Sequence, residues 1–142
     1  MSAYGTKSKL AAYQSVSIHG GVSDADPHAL VLMLMDGALD RVTIARGCLE
    51  RGELARKAQL LSSCTAIIAE LRGSLNLQEG GPLALNLSQL YEYMMRQLLR
   101  ANVDNNGECL REVASLLSEI RSAWVAIGPA VRAPRPSSGG AV

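Results

Sequence analysis

The chain has 142 residues, 48% hydrophobic but only 4% aromatic, with no phenylalanine, a balance suited to one domain built by helix-on-helix packing. Lys and Arg number 14 against 13 Asp and Glu, and a net charge of +1 offers no electrostatic footprint for nucleic acid or an anionic membrane. Its 3 cysteines share no CxxC spacing, against a disulfide framework or thiolate zinc site, and no uncharged apolar run reaches the ~18 residues of a membrane span.

Residues 1–25 form a polar N-terminal segment with one apolar cluster, Leu10, Ala11, Ala12, Tyr13 and Val16, where a short helix is expected. The segment has no apolar signal core or cleavage pattern, so a cytoplasmic location is expected. Asp26-Pro27 then reads as an N-cap followed by proline at the first helical position. The helix it opens is expected to run to about Leu49, with Val31, Leu34, Met35, Ala38, Val42, Ala45 and Leu49 on one stripe. Because Leu30 to Met35 is continuously apolar, Leu32, Met33 and Leu39 must point away from that stripe.

A second helix is expected from about Glu53 to Leu77, with Leu61, Ile68 and Leu71 on its core face and Leu60 and Ile67 to one side. Gly80-Gly81 then leads into Pro82, a clean start for a third helix reaching Asn102. Leu83, Leu87, Leu90, Met94 and Ala101 make its main stripe. Leu85, Met95 and Leu99 make a second, with Tyr91 and Leu98 between them. Asp104-Asn105-Asn106-Gly107 is a turn signal, since Asn and Gly tolerate left-handed backbone. The fourth helix, about Glu108 to Ile127, carries Leu110, Val113, Leu117, Ile120, Trp124 and Ile127, and Gly128-Pro129 is expected to stop it.

Links this short force successive helices to lie antiparallel. The expected fold is all-α, an antiparallel up-down-up-down four-helix bundle over residues 26–128, preceded by the segment 1–25 with its short helical stretch and followed by a disordered tail, 129–142.

No constellation for catalysis is present. A di-metal bundle needs inward Glu-x-x-His pairs, yet the chain has only His19, in the N-terminal segment, and His28, expected to be solvated in the first turn of its helix. There is no phosphate loop, HExxH or nucleophile elbow, so the chain reads as a non-enzyme needing no metal or cofactor. Cys48, Cys64 and Cys109 fall near core stripes and read as small apolar filler. What remains is surplus apolar surface. It suits either a groove for apolar segments of another chain or a homodimer face on a structural bundle.

Here the residues carry a resemblance. The stretches YQSVSIHGGVSDADPHALVLMLMDGALDRV, GGPLALNLSQLYEYMMRQLLRANVDN and LREVASLLSEIRSAW closely resemble the FliS-type flagellar export chaperones, from about Leu10 to Ile127. The most specific elements are Tyr13 placed 14 residues before Pro27, Leu34-x-Asp36-Gly37-Ala38, Gly80-Gly81 with Asn86-Leu87, Leu90-Tyr91-x-Tyr93-Met94, and Ala123-Trp124. Met35 departs from the pattern, standing where the family usually has an aromatic residue before Asp-Gly.

The resemblance implies a cytoplasmic chaperone that binds the disordered C-terminal segment of flagellin, prevents its premature polymerisation and delivers it to the flagellar type III export apparatus. An export-gate component and regulatory proteins would be further partners, and the free chain would be a monomer or weak homodimer. Periodicity nominates the flagellin-binding residues: Leu32, Met35 and Leu39 on the first helix, Leu60 and Ile67 on the second, and Tyr91, Met95 and Leu99 on the third. By the resemblance, Leu10 and Tyr13 would be a switchable cover over part of that surface.

Overall fold

A computed structural model describes the chain over residues 26–132, with side chains to residue 128. Four helices make up almost all of it: α1 (Pro27–Glu50), α2 (Leu54–Gly73), α3 (Leu77–Asp104) and α4 (Gly107–Arg132). The expected short N-terminal helix and the tail beyond Arg132 lie outside the described residues.

Local chemistry sets the boundaries. Asp26 caps α1 as its sequence suggests, its carboxylate accepting from the Ala29 amide at 3.1 Å with Pro27 just inside. The second helix ends earlier than expected, at Gly73, because Ser74 turns its hydroxyl back to the Leu71 carbonyl at 2.8 Å and Asn76 starts the next helix by accepting from Glu79 at 3.0 Å. Leu75 and Leu77 therefore leave α2. One helical turn precedes the expected start of α3, and Gly81 breaks the path with φ 57°, ψ −137° before Pro82 begins the long straight part. A residue with a Cβ would be strained at that φ.

At the other terminus α4 passes through Gly128-Pro129 to Arg132 rather than stopping at Ile127. Proline's fixed φ fits the helix, and what the helix gives up there is the hydrogen bond from position 129 to the Val125 carbonyl.

Each helix packs on its two neighbours in a closed ring, α1 on α2, α2 on α3, α3 on α4 and α4 on α1. Side-chain bonds fix the antiparallel sense. Lys57 at the start of α2 meets Asn102 and Asn105 at the end of α3, while Arg72 at the end of α2 donates to Ser88 near the start of α3. Asp36 of α1 is ion-paired with Arg121 of α4, and Arg41 of α1 donates to Ser63 of α2 at 2.8 Å. The bundle is thus up-down-up-down.

Its core draws on all four helices: Val42 and Ala45, Cys64 and Ile68, Met94 and Leu98, Leu110 and Val113 are wholly buried. Burying side chains of this kind contributes roughly 1.5–3 kcal/mol each for Val, Leu, Ile or Met. On α3 the buried line runs Ala84, Tyr91, Met94, Leu98, Ala101. It keeps Met94 and Ala101 of the expected main stripe but is rotated toward Tyr91 and Leu98, so Leu83, Leu85 and Leu99 are left 69%, 51% and 64% exposed.

Candidate functional site: an apolar cleft at one end of the bundle

The start of α1, the end of α2, the start of α3 and the last turns of α4 converge at one end of the bundle. Their side chains do not close over one another there. The break at Gly81, together with the small Gly80 and Ala84, leaves space that neighbouring helices would otherwise fill, and a cleft of about 730 Å³ opens. That is within the ~300–1,000 Å³ of ligand pockets.

Its floor is Met35 of α1, Leu71 of α2 and Tyr91 of α3, each almost fully buried. Val31 of α1 and Leu87 of α3 make the middle of the walls, Ile120 and Trp124 of α4 one side, and Leu83 the exposed rim. Polar groups are few: Ser74, Asn76 and Glu79 at the edge, and His28. Burial pushes the Tyr91 phenol up to about 12, so it stays neutral throughout the physiological range.

His28 is not solvated, as its place in the sequence suggested. It is 4% exposed, because Trp124, 96 residues away, covers it. The rings stack with centroids 4.9 Å apart and planes 8° from parallel. His28 Nε2 lies 2.6 Å from the Trp124 carbonyl, which can only accept, so this nitrogen carries the proton. The indole N–H donates in return to the His28 carbonyl at 3.0 Å.

The residues nominated from periodicity divide. Met35 and Tyr91 meet in the cleft, but as its buried floor, 1% and 2% exposed. Ile67 is a core side chain, 2% exposed, because the buried face of α2 is rotated toward it. Leu32 is half-buried on α1, Leu39 and Met95 are half-buried with their apolar parts on the core, and Leu60 lines a separate shallow groove with Ile44 between α1 and α2. Leu99 stands exposed on α3, followed one turn on by Val103 at 70% exposure. Leu10 and Tyr13 lie outside the described residues. Sequence reasoning missed Val31, Leu83, Ile120 and Trp124 as cleft walls, assigning them to core stripes; the glycine pair before Pro82 was the available signal that the helices part there.

The three cysteines are free and buried, and burial raises the Cys64 thiol to about 12, where it is unreactive. Among the described residues no group of three or more His, Cys, Asp or Glu could hold a metal, and no helix is long and apolar enough to cross a membrane.

A helical bundle that leaves an apolar cleft at one end is of the class that can seat apolar side chains of another segment. The chain belongs to the FliS family: the model of the flagellar protein FliS matches residues 9–131. It is 46% identical over 112 residues to the flagellar secretion chaperone FliSB of Pseudomonas aeruginosa, covering 79% of this chain and 89% of that one. With the flagellar secretion chaperone FliS of Salmonella typhimurium it shares 43% over 125 residues, 87% of this chain and 93% of that one, and with that of Vibrio cholerae 37% over 123 residues, 87% and 90%. The family is one of chaperones, not enzymes.

Proposed function

We propose that this protein is a flagellar secretion chaperone whose client is flagellin. It binds the disordered C-terminal segment of flagellin in the cytoplasm, holds it back from polymerising and delivers it to the type III export apparatus. The observation that carries the reading is the apolar cleft at the end of a bundle that belongs to the FliS family. A subunit that assembles through apolar helical stripes is kept monomeric when those stripes are covered. Ordering a disordered segment costs about 2–5 kcal/mol, so the covering surface must be wide and mostly apolar.

The cleft offers a deep anchor of that kind, and the exposed line Leu85, Leu99 and Val103 on α3 offers further apolar area. In this reading Met35 and Tyr91 take the anchor side chain, Leu32, Leu39, Leu60, Met95 and Leu99 support other parts of the segment, Ile67 stays in the core beneath them, and Leu10 and Tyr13 form a cover that the client displaces. That same exposed line on α3 also favours a second reading, a homodimer face.

Calorimetric titration of the full chain with a peptide of the last ~40 residues of the flagellin from the same organism tests both, a length set by the area that coupled folding buries. One-to-one binding with a large negative heat-capacity change is expected. A folded chain that gives no heat rejects flagellin as client, and a chain already dimeric in solution that stays dimeric with peptide favours the second reading.

A further inference from the structure

The His28 imidazole is better furnished than packing requires. Its Nε2–H donates to the Trp124 carbonyl and the ring stacks on the indole, while the backbone carbonyl of His28 separately accepts from the indole N–H. Yet its Nδ1 is buried with no hydrogen-bond partner. A phenyl ring would fill the same space, keep the stack and leave no orphaned nitrogen. What the imidazole adds is one directional bond, Nε2–H to the Trp124 carbonyl, which fixes where the last turns of α4 sit relative to the first turn of α1.

The backbone opposite is shaped for the ring. A Cβ at Gly128 would lie 2.7 Å from His28 Cε1, so only glycine lets the ring sit where it does. Both rings line the cleft. Further down the same helix pair, Asp36 and Arg121 hold α1 to α4 independently. The His28 contact is therefore an end fastening, and what it governs is the width of the cleft.

We propose that His28 is a positioning residue for client binding, holding Trp124 and thereby the α4 wall of the cleft in the conformation that retains a bound segment. This deepens the function proposed above and rests on it for the identity of the client. Once the cleft is occupied, a fixed wall slows release, so the effect falls on the dissociation rate rather than on association.

The test uses three full-length chains: wild type, His28→Phe, which keeps a stacked ring and loses the bond, and His28→Gln, whose side-chain amide nitrogen can reach the same carbonyl without a ring. Peptide dissociation is followed by stopped flow with the emission of Trp124, the single tryptophan of the chain. The expected result is release about tenfold faster from His28→Phe, equivalent to ~1.4 kcal/mol, with His28→Gln close to wild type and all three alike in helix content. Gly128→Ala, which displaces the ring without altering either His28 or Trp124 chemically, should resemble His28→Phe.

Wild-type kinetics in His28→Phe, or a deficit in His28→Gln that phenylalanine repairs, overturns the proposal and leaves a packing ring. So does loss of helix content in either variant, which would make His28 a requirement of the fold. If the wild-type chain does not bind the peptide, the client reading fails separately. His28 is then judged on the free protein, where quencher access to Trp124 should rise in His28→Phe and not in His28→Gln, and equal access overturns it.

Discussion

The two ends of the bundle solve opposite problems. At the end formed by the start of α2 and the close of α3, polar groups tie α2 to α3 and cap the start of α4. Asn105 turns the chain in the left-handed region, φ 50° and ψ 46°. Lys57, 3% exposed, reaches across to donate to Asn102 O at 3.0 Å and Asn105 Oδ1 at 2.5 Å. Asn106 caps α4 through the amides of Glu108 and Cys109, and the hollow between α1 and α4 there is rimmed by Arg46, Glu50, Asp104 and Arg111. At the opposite end the helices part around Gly81 and leave apolar walls. One end spends its residues on closure, the other leaves an apolar cleft open. Stability and binding should accordingly be separable by position along the bundle axis.

The largest effect on that comparison is expected from Lys57→Met. The methionine keeps the packing of the stem but removes the ammonium that donates to the Asn102 carbonyl and the Asn105 side chain and faces the negative end of the α3 dipole. Charged hydrogen bonds of this kind are worth about 1.5–3 kcal/mol, part of which returns because a buried charge is no longer desolvated. A loss of roughly 2 kcal/mol in urea unfolding is expected, with affinity for the flagellin peptide unchanged. A fall in affinity would show that the two ends are coupled.

The reverse experiment is Leu83→Asp at the open end. Leu83 is 69% exposed and sits just after the break at Gly81, so a carboxylate there meets the positive end of the straight part of α3 that Pro82 opens, where it stabilises by a few tenths of a kcal/mol. The same carboxylate puts a charge on the apolar rim. Affinity for the peptide should drop at least tenfold, about 1.4 kcal/mol, while the unfolding midpoint holds or rises. Lost stability alongside lost affinity would mean that Leu83 belongs to the core after all.

How far this division could be read in advance depends on the range of the interaction that makes it. Helical period and the Asp26-Pro27 cap act within a few residues, and the four helices, their order and most of the core followed from them. Lys57 and His28 are the contrary cases. Each is buried by a partner distant in sequence, Asn105 at a separation of 48 and Trp124 at 96, so neither burial has a local signature. Period also states which face of a helix turns inward but not where along the axis the faces part. Period therefore nominates positions along the helices, such as Leu60 and Leu99, while the apolar cleft forms at an end. The boundaries at Ser74 and Asn76 were missed because hydroxyl and amide side chains compete with the helix for its own backbone groups.

The smallest effect concerns the floor of the cleft, and it vanishes at neutral pH. Tyr91 has its phenol raised from 10.0 to about 12 by burial, and Cys64 its thiol from 9.0 to about 12. Both groups are neutral when protonated, so the folded state holds its protons where the unfolded chain releases them. The contribution is complete below each unfolded value and is lost as pH rises toward and through about 12, beginning near pH 9 for Cys64 and near pH 10 for Tyr91. Tyr91→Phe should leave stability at pH 7 nearly unchanged and remove only the portion of the alkaline decline that starts above pH 10, under about 1 kcal/mol at pH 10.5. Urea unfolding from pH 8 to 11 checks this, and Cys64→Ala should remove the earlier portion. If Tyr91→Phe left the whole alkaline limb in place, the tyrosine would ionise as freely as in solvent. The floor of the cleft would then be wet, and its apolar character would belong to its walls alone.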